Sequence, residues 1–130
     1  MPKYLLFFVA VLWTGLITYF CLIQSSAIPT IEIPNLDKCV HTFFYFVFTF
    51  VWFLFFRKQL QIANGFKPLF FSFLLSLIFG IIIEILQEVI TTTRQADIFD
   101  VFANLTGAIL AILTVLICNK LNVLNSILKK

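Results

Sequence analysis

The sequence predicts an all-α fold, a four-transmembrane-helix bundle with both termini cytoplasmic. Three observations point to it. The chain of 130 residues is 62% hydrophobic and carries 18 phenylalanines, more apolar surface than a soluble domain of this size can hide. Its apolar residues fall into four runs of about 20, the length that crosses a bilayer as helix. The charges divide by sign: once the runs are threaded through a membrane, Glu32, Asp37, Glu84, Glu88, Asp97 and Asp100 lie near one side and most cations lie on the other.

The first run spans residues 4–23, after Lys3. It is longer than the roughly 7–15 residues of a signal-peptide core, so it reads as a retained helix, although Ser25-Ser26-Ala27 would serve as a cleavage site. The second run, 36–56, opens on Asp37 and Lys38 and stops before Arg57 and Lys58. The third, 68–90, starts at Pro68 and carries Glu84, Gln87 and Glu88 near its end. The fourth, 98–118, follows Arg94 and Asp97 and carries Asp100 and Asn104. Residues 119–130 read as a short basic tail whose lysines suit anionic head groups. Short loops and the lack of repeats or low-complexity linkers make residues 1–130 a single membrane domain.

Loop charge sets the expected orientation. Lys3, Arg57, Lys58, Lys67, Lys120, Lys129 and Lys130 fall on one side, and Lys38 and Arg94 on the other. Cationic short loops stay cytoplasmic, so both termini are expected inside. Membrane orientation also explains the net charge of +3 better than nucleic acid does, because the cations sit at run ends rather than on one face. Trp13, Trp52, Tyr4, Tyr19 and Tyr45 are expected in part at interfacial depth, as aromatic belts are. Cys21, Cys39 and Cys118 have no metal-type spacing. They read as small hydrophobes, with a Cys21–Cys39 pairing left open.

Polar residues concentrate toward the outer ends of three helices. Asp37, Lys38 and His41 open the second, with Asp37 and His41 on one face by their four-residue spacing. Glu84, Gln87 and Glu88 share a face of the third, and Asp97, Asp100 and Asn104 a face of the fourth. Asp37, Asp97 and Asp100 have ordinary explanations as caps at helix N-termini. Glu84 has none. It lies at a helix C-terminus, where the dipole opposes negative charge, and inside an apolar run, where a central charge costs roughly 2.5–3.5 kcal/mol. It therefore needs a partner: Arg94, His41, Lys38, a cation or a proton. Ser72, Ser76 and Gly80 on the third helix, and Gly107 and Ala111 on the fourth, form small-residue seams. If the seams meet, they press Asn104 and Asp100 against Glu84 and Gln87.

These residues resemble the VanZ-like family of small bacterial membrane proteins. Asp37, Lys38, His41 and Tyr45 match its Asp-Lys-x-x-His motif and following aromatic. Glu84 and Gln87 match its Glu-x-x-Gln. Arg94, Asp97, Asp100, Asn104 and Gly107 match its Arg-x-x-Asp-x-x-Asp-x-x-x-Asn-x-x-Gly. Ser26 and Pro29 also fit, so the resemblance runs from about residue 25 to 111. Ala111 stands where the family often has Gly. The family is named for a protein associated with resistance to the glycopeptide teicoplanin. The resemblance thus implies a cell-envelope role, with teicoplanin-type tolerance as one form of it.

Three functions are compatible with this pattern. In the first, Asp37, Lys38, His41, Glu84, Gln87, Arg94, Asp97, Asp100 and Asn104 bind a lipid-linked or amphiphilic ligand, such as a polyprenyl-phosphate cell-wall precursor or a lipoglycopeptide. Arg94 and Lys38 would then hold a phosphate or carboxylate. The alternative is an integral-membrane enzyme, a hydrolase or transferase on a lipid head group, with His41, Glu84, Asp97 and Asp100 for acid–base or divalent-metal chemistry. No serine, cysteine or metal motif has a catalytic spacing, so the sequence leaves the cofactor unknown and a divalent cation open without committing to a metal. A transporter or channel subunit ranks last, since the inner half offers almost no polar lining.

Overall fold

The computed structural model describes residues 2–22, 36–61, 66–90 and 98–121. Within them the chain forms α1 (Lys3–Leu22), α2 (Leu36–Leu60), α3 (Phe66–Ile90) and α4 (Ile98–Lys120). All four are long and apolar enough to cross a membrane. They outrun the apolar stretches expected from sequence. α2 continues through Arg57 and Lys58, because a helix C-terminus favours cations. α3 begins two residues before Pro68, since a proline in the first turn lacks only an N–H that has no helical acceptor. Gln61 adopts a positive φ of 56° and closes α2 as a left-handed cap.

Successive helices run antiparallel. The C-termini of α1 and α3 and the N-termini of α2 and α4 gather at one end, the acidic end. Arg57, Lys58, Lys67 and Lys120 occupy the opposite, basic end. α2 is the hub: it packs on the other three helices and most extensively on α4. The reason is Gly107. A Cβ there would lie 2.2 Å from the Thr42 carbonyl oxygen and 2.9 Å from the Phe46 nitrogen, so only glycine lets the two backbones approach so closely. The expected meeting of two small-residue seams is thus corrected: Gly107 faces α2. The α3 seam of Ser72, Ser76 and Gly80 is buried, and Gly80 abuts the side chains of Asn104 and Tyr45.

Two apolar clusters fill the interior. Leu6, Phe53, Leu54 and Val115 pack toward the basic end, and Ile17, Cys21, Tyr45, Phe48 and Ile83 toward the acidic end. Phe48 stacks flat on Phe79 with centroids 4.9 Å apart, tying α2 to α3. The tryptophans do not form a belt. Trp13 Nε1 donates to the Phe44 carbonyl at 3.0 Å, and Trp52 Nε1 donates to Thr14 Oγ1 at 3.1 Å. An indole N–H at apolar depth needs an acceptor, and these two find theirs across the α1–α2 seam. Tyr4 and Tyr19 are exposed, whereas Tyr45 is fully buried.

The outward faces carry chiefly aliphatic and aromatic side chains, among them Phe8, Ile85, Phe99 and Leu113. So continuous an apolar surface is a liability in water and is compatible with a bilayer. No cysteine forms a disulfide among the described residues, and Cys21 is buried while Cys39 is exposed.

Candidate functional site at the acidic end

His41, Glu84, Asp100 and Asn104 are each no more than 6% exposed and come from three helices. Their depth follows from their place in sequence. Glu84 lies six residues before the end of α3, and Asn104 six after the start of α4, or about 9 Å along each axis. His41 is nearly as deep in α2. The antiparallel packing then brings the three levels together.

Asp100 is the centre of the polar contacts. Its Oδ1 accepts a hydrogen bond from Lys38 Nζ in an ion pair that joins α2 to α4. Its Oδ2 lies 3.7 Å from His41 Nε2, too far for a hydrogen bond. His41 is held from its other side, where Nδ1 is 3.1 Å from Asn104 Oδ1. An amide oxygen only accepts, so with the amide in this orientation Nδ1 carries the proton and the Nε2 lone pair faces Asp100. Thr42 Oγ1 donates to the Lys38 carbonyl at 2.8 Å and lies 3.3 Å from that of Ala103, on the same α2–α4 seam as Gly107.

Glu84 completes a tight group. His41, Glu84 and Asp100 each offer a ligand atom, and these atoms all lie within 4.8 Å of one another. The carboxylate at the unfavourable end of α3 thus sits beside the histidine that the sequence proposed as one of its partners. Lys38, the other described cation proposed for it, pairs with Asp100. Gln87 goes elsewhere: its Nε2 donates to the Cys21 carbonyl at 2.7 Å. It thereby fastens α3 to the last turn of α1, satisfying a carbonyl that the helix end leaves open. Glu88 is exposed. Arg94 and Asp97 lie outside the described residues, as does the side chain of Asp37.

Sequence reasoning overlooked two participants. From sequence Tyr45 reads as an interfacial aromatic and as the aromatic after the histidine motif. Its hydroxyl is buried without a hydrogen-bond partner among the described residues, and its ring abuts Gly80 beside the Asn104 side chain. The four-residue spacing from His41 was the available signal, since it puts both on one face of α2. Arg57 is the second. Counted as a marker of orientation, it is 5% exposed and donates from Nη1 to Asn119 Oδ1 at 3.2 Å, joining α2 to α4 at the basic end.

Beside the cluster, on the lipid-facing side of the α2–α4 seam, runs a groove of about 410 Å³ lined by Lys38, Cys39, Thr42, Phe43, Phe46 and Leu110. Lys38 is at its polar mouth, and Phe46 lies eight residues, about 12 Å, further along α2. Compared with protein families, with curated proteins and with solved structures, the chain has no match.

Proposed function

We propose that the protein is a VanZ-like component of the bacterial cell envelope that binds an amphiphile with an anionic head group in the groove between α2 and α4. In this reading it lies in the cytoplasmic membrane with both termini inside, so the acidic end faces outward. The observation that carries the reading is the groove itself, which is cationic at its mouth and apolar along its length. An acyl or polyprenyl chain lies against Phe43, Phe46 and Leu110. A phosphate or carboxylate meets Lys38. Asp100 holds that ammonium at the rim, with His41 and its partner Asn104 behind it. A lysine at an interface is a compact charge with three donors, so it can bridge a carboxylate and a lipid oxygen. The resemblance of these residues to VanZ-like motifs supports a cell-wall precursor lipid of the polyprenyl-phosphate kind, or a lipoglycopeptide, as the ligand.

The test is binding of a fluorescent polyprenyl phosphate to the full chain in nanodiscs of neutral lipid. Saturable binding is expected, weakened at least tenfold in Lys38→Met and in Leu110→Trp, which fills the groove without touching the polar cluster. Equal partitioning into empty nanodiscs, or affinity unchanged in both variants, overturns the reading. The buried grouping of His41, Glu84 and Asp100 favours a second reading, an integral-membrane enzyme on a lipid head group. Turnover of such lipids that disappears in Glu84→Gln would establish it.

A further inference from the structure

We infer that His41, Glu84 and Asp100 form a binding site for one divalent first-row transition ion, with Zn²⁺ the best match. This goes beyond the groove and does not depend on it: the ion is held inside the bundle, whereas the amphiphile lies on its lipid-facing side.

The donor set is the first argument. One imidazole nitrogen with two carboxylate oxygens suits Zn²⁺ or Mn²⁺ better than the all-oxygen shells of Mg²⁺ and Ca²⁺. The second argument is spacing. Donor atoms about 2.1 Å from a shared tetrahedral ion stand roughly 3.4 Å apart. His41 Nε2 and Asp100 Oδ2 are 3.7 Å apart, beyond hydrogen-bonding reach yet right for a common ion. The whole set lies within 4.8 Å, and the remaining closure of about 1.4 Å is within the travel of the flexible Glu84 side chain.

The surroundings are those a metal ligand needs. Asn104 Oδ1 lies 3.1 Å from His41 Nδ1; in the Nδ1–H tautomer the Nε2 lone pair is directed at the cluster, the outer-shell arrangement that orients a ligating histidine. Lys38 plays a like part for Asp100, binding Oδ1 and leaving Oδ2 toward the ion. An independent sign of a missing polar group is Tyr45. Its hydroxyl is wholly buried and has no hydrogen-bond partner among the described residues, and its ring abuts Gly80 beside the side chain of Asn104, the residue that holds His41. Three protein ligands leave a fourth position for water, and that water would be the partner Tyr45 lacks.

The experiment loads the full chain, purified in detergent after chelation, with Zn²⁺ or Mn²⁺ and measures bound metal by mass spectrometry after desalting. One ion per chain is expected for the parent protein, with Zn²⁺ retained over Mn²⁺ and the thermal midpoint raised by the metal. Glu88→Gln, altering an exposed acid on the same helix, should bind like the parent. His41→Gln and Glu84→Gln should each weaken binding at least 100-fold, and Asn104→Ala about 10–100-fold. Less than a tenth of an ion on the correctly folded parent protein overturns the site. So does full retention in a His41→Gln/Glu84→Gln double variant. Metal binding and lipid binding are read separately, so either can fail without the other.

Discussion

At the scale of single residues, Gly107 and Gly15 make opposite forecasts from the same amino acid. Gly107→Ala places a methyl against the α2 backbone, which cannot rotate away. Overpacking of that kind costs about 1–3 kcal/mol, so unfolding in mixed micelles should show a loss in that range. Gly15 has nothing within 4 Å of its would-be Cβ. Gly15→Ala should be neutral or slightly stabilising, as helix propensity favours alanine by up to about 1 kcal/mol. The Lys38–Asp100 pair invites a double-variant cycle. Lys38→Met alone leaves Asp100 charged and nearly buried, and the Lys38→Met/Asp100→Asn double variant should be the more stable of the two. Coupling of roughly 0.5–3 kcal/mol is expected, and strict additivity would show that the pair contributes nothing. Glu84 was recognisable from sequence as anomalous, because dipole and depth both oppose its charge. His41 was among the partners proposed for it, and Asp100 was expected against it if the small-residue seams met; which candidates converge depends on which faces of α2 and α4 turn toward α3.

At the scale of elements, the helices are joined by different means at different depths. α1 is held to α2 by two indole hydrogen bonds and to α3 by Gln87. Interhelical hydrogen bonds in membranes average about 0.6 kcal/mol, so Thr14→Val, which removes the acceptor of Trp52, should cost about that much. Its effect should fall below that of Gly107→Ala in the same micelle assay, and a larger loss would show that α1 relies on this bond more than on packing. α2 and α4 are pinned at both ends, by Lys38–Asp100 at one and Arg57–Asn119 at the other. Hydrogen bonds from charged groups are worth about 1.5–3 kcal/mol. Arg57→Met should therefore destabilise the bundle by up to that amount, while the exposed Lys67→Met should leave it unchanged. The existence, order and approximate span of all four helices were legible from apolar run length. The inward turn of Arg57 was not, because hydropathy treats every cation at a run end as solvated.

For the whole molecule, the separation of charge along the bundle axis makes a topological forecast. The sequence assigns seven cations to one side of the membrane and two to the other, so a fluorescent protein fused after Lys130 should fluoresce in bacterial cells, and alkaline phosphatase fused there should be inactive. The reverse result would invert the bundle and put the groove mouth at the inner leaflet. Exposed Cys39 lies at the acidic end. A membrane-impermeant thiol reagent should therefore modify it from outside intact cells, and leave buried Cys21 unmodified.

Chain composition and the spacing of apolar runs by themselves determined that this is a bundle of four membrane-length helices with its acids at one end. Those properties are local: twenty apolar residues must satisfy their own backbone as helix wherever they are placed in a bilayer. The seam partners, the diversion of Gln87 to α1, the burial of Arg57 and Tyr45, and the convergence of His41, Glu84 and Asp100 were decided only by tertiary structure. Each depends on helix rotation and closest approach, and these are set jointly by small residues such as Gly107 and the aromatic side chains opposite them. Periodicity within one helix carries no record of that choice.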